Sequence, residues 1–133
     1  MKPTFVSGFL MVVIGAALAM VSLFALPYCK GEHPMACFWL VRAASGVGLL
    51  ILVSGVVMKF VRTAAAAGMQ VANALLGLFV VLLATVLIGT CDNPMMACHG
   101  TTKPVLILSG VVIALVAAFD AKRLLACADA QKA

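Results

Sequence analysis

CKGEHPMAC (residues 29–37) and CDNPMMAC (residues 91–98) are one phrase written twice, a pair of cysteines around a Pro-Met element. Each copy stands between two long apolar runs, so the chain divides into two helical hairpins in tandem. The runs cover residues 5–26, 38–60, 71–90 and 104–119. The first three reach the roughly 20 apolar residues that cross a bilayer as a helix, and the fourth extends outward through Thr101, Thr102 and Lys103. Of the 133 residues 65% are hydrophobic and 10% charged, where soluble domains run about 45–50% apolar. No soluble domain of useful size can be carved from such a chain. The expectation is an all-α integral membrane four-helix bundle, a single domain over residues 1–133. Its outward loops are 27–37 and 91–103, and its short connections make neighbouring helices antiparallel.

The first run stays apolar to Leu26, longer than the roughly 7–15 residues of a cleavable signal segment, so it reads as a true span. Lys2, Lys59, Arg62, Lys122, Arg123 and Lys132 fall on one side of the spans. Basic residues near span ends mark the cytoplasmic side. Both termini are therefore expected in the cytoplasm and both cysteine loops outside, facing the periplasm or extracellular space. The net charge of +5 is this bias scattered over three segments, with no nucleic-acid footprint. Tyr28 and Trp39 flank the first loop at headgroup level, where aromatic side chains collect.

Both hairpins cross in the same sense, the pattern of a parallel repeat about an axis along the membrane normal. The helices also share Ser-Gly-Val-Val (54–57 and 109–112), at different distances from their cysteines. Small residues recur in every span: Gly8, Gly15 and Ala19; Ala43, Gly46 and Ser54; Gly77 and Ala84; Gly110, Ala114 and Ala118. In lipid, where packing drives helix association, small residues let backbones approach closely. The Ala-rich tail after Leu125 reads as frayed. Ser22, Ser54, Thr85 and Ser109 are the chief polar residues inside the spans and draw no continuous ion path, which argues against a channel or pump acting alone.

Three chemistries compete for the loops. Cys29, Cys37, Cys91 and Cys98 face an oxidising compartment, where disulfides persist, and four cysteines allow three connectivities; stapling disulfides in a structural subunit are the plain reading. The fifth, Cys127, is a reduced thiol in the cytoplasmic tail. The second chemistry is a metal site. Met35, Met95, Met96, His33 and His99 stand beside the cysteines, and thioether and imidazole donors suit copper or iron. The plain alternatives are membrane-face packing for the methionines and loop polarity for the histidines. Glu32 and Asp92 add oxygen donors. The third chemistry is redox. Four spans with a cysteine pair in each outward loop resemble the quinone-linked disulfide-generating membrane enzymes, and Arg42, about 7 Å beyond Cys37 at 1.5 Å per residue, resembles the quinone-side arginine of that family. An intramembrane Arg is a functional candidate by default; its plain reading is snorkelling to the interface. The chain departs from that family in having seven residues between the cysteines of the first pair and a short second loop.

The whole chain also resembles a family of small bacterial and archaeal membrane proteins known as domain of unknown function 4418. The likeness rests on length, four spans, Met35-Ala36-Cys37 and Met96-Ala97-Cys98 closing the loops, and the Thr101, Thr102, Pro104 step into the last helix. Phe38-Trp39 departs from the more polar pair expected after Cys37. The resemblance implies no established activity. It implies an accessory role beside ABC-type permeases and metal-uptake or thioredoxin-like proteins. The resulting expectation is a non-enzymatic membrane component that handles copper or iron with a transport system, alone or as a homo-oligomer. A quinone-linked thiol–disulfide oxidoreductase is the alternative, and a disulfide-stapled structural subunit the third reading.

Overall fold

The computed structural model describes residues 3–26, 36–88 and 98–132. Helix α1 is Pro3–Met20, α2 Ala36–Val57, α3 Thr63–Leu82 and α4 Lys103–Lys132. Pro3 opens α1, a position whose N–H has no intrahelical acceptor, and Pro104, the second residue of α4, follows directly on a π-helical turn, Cys98–Thr102. Four helical stretches are long and apolar enough to cross a membrane, and among the described residues the protein is helical throughout, without a strand. It is a multi-pass membrane four-helix bundle, as the apolar runs require.

Two helices outrun their apolar stretches. Thr63 to Met69 is Ala-rich, a composition with high helix propensity, so α3 begins eight residues before Val71, with Ala66 N–H donating to Arg62 O at 2.9 Å in its first turn. The tail expected to fray after Leu125 is instead helical to Lys132. Leu124 is 1% exposed and packs with Met58, Ala66 and Ala67 in a second small core, which ties the extension down. The α2–α3 turn is made by Met58, Lys59 and Phe60, whose N–H groups donate back to the Ser54, Val56 and Val57 carbonyls at 3.0, 3.2 and 3.0 Å.

Each hairpin is closed by glycines that touch backbone to backbone. A Cβ on Gly8 would lie 2.7 Å from Gly55 O, one on Gly15 2.7 Å from Gly48 O, and one on Gly77 2.8 Å from Gly110 O. Gly48 and Gly55, which the sequence reading passed over, are half of this contact. Gly46, expected there, is not in it: among the described residues nothing lies within 4 Å of where its Cβ would be.

The repeat has a fixed register of 62 residues, from Gly15 to Gly77 and from Gly48 to Gly110. It carries Thr4, Met11, Leu18 and Ser22 of α1 and its extension onto Ala66, Asn73, Val80 and Ala84, all buried. It carries Leu40, Ala44, Ile51 and Met58 of α2 onto Thr102, Leu106, Ile113 and Asp120, again all buried. The first helix of each hairpin even ends alike, in a π-helical turn: Val21–Ala25 and Leu83–Leu87. These are closed by Leu26 N–H to Val21 O at 3.0 Å and Ile88 N–H to Leu83 O at 3.2 Å. The shared Ser-Gly-Val-Val words are 55 residues apart (54 to 109), seven out of this register. They mark no structural equivalence and are a coincidence of Val- and Gly-rich sequence.

Candidate functional site

The antiparallel hairpins bring both connections that carry cysteine pairs to one end of the bundle. Cys29, His33, Met35, Cys91, Met95 and Met96 lie outside the described residues. Of the remaining sequence candidates, Cys37 sits in the first turn of α2 and is fully buried. Cys98 and His99 open a π-helical turn, Cys98–Thr102, that leads into α4; His99 is half-buried. The second phrase is one residue shorter than the first, so the counterpart of Cys37 in the 62-residue register is His99, in the turn that precedes α4. Among the described residues no group of three or more His, Cys, Asp or Glu is placed to hold a metal ion. Arg42, one turn further along α2, is exposed, with its guanidinium carbon 4.7 Å from the centre of the Phe38 ring.

The opposite half of the bundle holds a feature absent from the sequence expectations. Ser54 Oγ donates to Asn73 Oδ1 at 2.7 Å, Asn73 Nδ2 to Gln70 Oε1 at 3.2 Å, and Gln70 Nε2 to Asp120 Oδ2 at 3.3 Å. Three helices meet in this chain: α2 gives Ser54, α3 gives Gln70 and Asn73, and α4 gives Asp120. Gln70 is 0%, Asn73 1% and Asp120 8% exposed. Every donor points toward the carboxylate, so the bond dipoles add along the row. Ser54 Oγ also lies 2.8 Å from Ile51 O; one hydroxyl proton serves both acceptors. In the register, Gly8, Met11 and Met58 of the first hairpin stand where Gln70, Asn73 and Asp120 stand in the second. The polar layer therefore belongs to one repeat and clasps the other through Ser54. Buried amides and carboxylates inside a membrane span are costly unless partnered, and mark function or helix association.

The sequence model of the family described as Domain of unknown function (DUF4418) matches residues 11–122. The chain belongs to the DUF4418 family. The DUF4418 match spans both cysteine phrases, Arg42 and every member of the Ser54–Asn73–Gln70–Asp120 row, so the two ends described above are parts of one family domain. Nothing matches the chain among curated proteins or among solved structures. Gln70 falls one residue before the third apolar run, which begins at Val71, and Asn73 lies within it; the sequence reading singled out neither. The available signal was their i, i+3 spacing, which sets two carboxamides on one helix face, together with Asp120, the first of the two acidic residues of the last helix.

Proposed function

We propose that this protein is a non-catalytic membrane component that takes up a soft metal ion, copper or iron, at its cysteine end and passes it to a transport partner. The observation that carries this reading is the 62-residue register. In it the two Cys/Met/His phrases join corresponding helices of the two hairpins, and Cys37 corresponds to His99. Met35, Met95, Met96, His33 and His99 supply thioether and imidazole donors, which suit Cu(I) even when the cysteines are oxidised. The full burial of Cys37 weighs against the thiol–disulfide oxidoreductase reading, because an exchanging thiol has to meet its partner.

The test is titration of the purified full chain with Cu(I) and Fe(II) against competing chelators, with thiols reduced and again oxidised. One ion per chain is expected. Replacing Met35, Met95 and Met96 by Ala together should weaken binding by at least the ~10–100-fold that changes behind a ligand shell alone produce. Absence of uptake in both thiol states would overturn the proposal.

The cysteine end faces outward in this reading, because Lys59, Arg62, Lys122 and Arg123 gather at the other end, as on cytoplasmic faces. Cys127 reports on it directly, being exposed near the end of α4. In intact cells a membrane-impermeant maleimide should leave Cys127 unmodified while a permeant one labels it, and Cys37 should react with neither until the protein is unfolded. Labelling of Cys127 by the impermeant reagent would reverse the orientation.

A further inference from the structure

The first hairpin carries a groove on its flank that the second does not repeat in sequence. It has a volume of about 370 Å³ and is lined by Ala19, Leu23, Arg42, Ser45, Gly46 and Leu49. A smaller recess of about 90 Å³ continues it past Arg42, between Leu23, Val41 and Phe38. At the positions 62 residues on, Ala19, Ser45 and Gly46 become Val81, Ile107 and Leu108, and Arg42 becomes Pro104. Three small residues thus line this space where the other repeat carries branched side chains, and Arg42, the one charged residue of α2, stands at its rim.

Gly46, like Gly68 of α3, is a helix-interior glycine with no neighbour at its Cβ position, and Gly46 lines the groove. Glycine inside a helix is destabilising relative to alanine. Gly8, Gly15, Gly48, Gly55, Gly77 and Gly110 each have a neighbouring backbone that forbids a Cβ. Gly46, in mid-helix, has nothing of the described protein within 4 Å, so no helix contact accounts for it. Ser45 does not compete for a ligand's charge, since its Oγ donates to Arg42 O at 2.7 Å within the helix. Arg42 is therefore the charged group of the groove, and among the described residues no carboxylate pairs with it. Side chains on a helix lean toward its N-terminus, and stacking on Phe38 directs the guanidinium toward the cysteine end. Arg42 lies six residues past Ala36, about 9 Å along the axis, within the reach of a snorkelling arginine to the headgroups. Below it Gly46 and Leu49 continue the same stripe for about 10 Å more.

We propose that this groove binds one anionic phospholipid from the leaflet at the cysteine end. Its phosphate rests on Arg42 and an acyl chain lies along Ala19, Gly46 and Leu49. A guanidinium matches phosphate oxygens in a bidentate fork, and a net negative headgroup neutralises the charge that Arg42 would otherwise hold alone at the lipid face. The site is independent of the metal reading, because it uses none of the cysteine, methionine or histidine side chains.

The test is native mass spectrometry of the full chain released from phosphatidylcholine nanodiscs containing a minority of phosphatidylglycerol. One retained phosphatidylglycerol per chain is expected, enriched about fivefold over the bulk ratio, the factor that one basic side chain contributes at a membrane surface. Arg42→Gln should bring the enrichment to unity with helix content and melting temperature unchanged. Gly46→Leu, which copies Leu108, should abolish retention of either lipid, and Gly46→Ala, which favours the helix, should reduce it. The proposal is overturned if the wild type shows no enrichment, or if Arg42→Gln retains it. It is also overturned if the groove proves filled by a second copy of the chain, seen as a dimer that Gly46→Leu dissociates, or by an extractable quinone in place of phospholipid.

Discussion

Replacing Gln70 by leucine is expected to destabilise the folded bundle by about 3–5 kcal/mol, the range for stripping the partner from a buried charge. Gln70 Nε2 is the donor that the structure gives to Asp120, and Asp120 is only 8% exposed. The same change orphans the Asn73 amide, which donates to Gln70 Oε1. The companion result separates a partnered charge from mere packing. Replacing Gln70 and Asp120 together by leucine should recover most of the loss, because apolar groups of similar shape leave no unpaired charge. Equilibrium unfolding in mixed micelles, run as a double-mutant cycle, reads both numbers. Strict additivity of the two substitutions would show that Gln70 and Asp120 are not coupled. Asn73→Leu belongs to a smaller class: it breaks a neutral bond to Ser54 as well as one to Gln70, and hydrogen bonds between membrane helices average about 0.6 kcal/mol.

Alanine at Gly15 or Gly77 is expected to remove about 1–3 kcal/mol each, the range for overpacking a well-filled interior. A Cβ on Gly15 would stand 2.5 Å from Leu52 N, and one on Gly77 2.7 Å from Ala114 N. Both neighbours are backbone and cannot turn aside as a side chain would, so the paired helices must separate. Gly46→Ala is the built-in control. It meets nothing and should be neutral or stabilising by up to about 1 kcal/mol through helix propensity. Thermal melts of the three variants rank them. If Gly15→Ala were as benign as Gly46→Ala, the close approach of α1 to α2 would be wrong.

The comparison of Gly46 with Gly48 also shows where sequence reasoning stops in a chain of this kind. The four spans were legible because lipid requires long uninterrupted apolar runs, and the hairpins because the cysteine phrase recurs between them. Which face of each helix turns inward was not legible. In a soluble helix a polar stripe marks the outside; here Leu, Val and Phe cover lipid-facing and inward sides alike, with Leu50 and Val53 exposed beside Ile51, which is buried. Gly46 was therefore expected at the helix contact and Gly48 passed over, although Gly48 closes the hairpin and Gly46 lines a groove. The same blindness hid the polar row. Gln70 and Asp120 lie 50 residues apart, and their meeting depends on the register between α3 and α4, which no local pattern records. At the cysteine end, the residue types were readable and the equivalence of Cys37 with His99 was not, because the shorter second phrase displaces its closing cysteine by one.

The seam between the hairpins is fastened differently toward its two ends. At the basic end the hairpins are joined by the hydrogen-bonded row and by Met58, Ala66, Ala67 and Leu124. Toward the cysteine end, α1 and α4 are parted by a slot of about 260 Å³ between Ile14, Leu18 and Ser22 on one side and Val105, Ser109 and Ile113 on the other. Among the described residues, Ser22 Oγ is buried there without a hydrogen-bond partner. One apolar core nevertheless crosses the seam around this slot, with Leu18, Leu40 and Val41 packed among Val80, Leu83, Leu106 and Ile113, so the hairpins are held together along their length and the slot is a local gap in that packing.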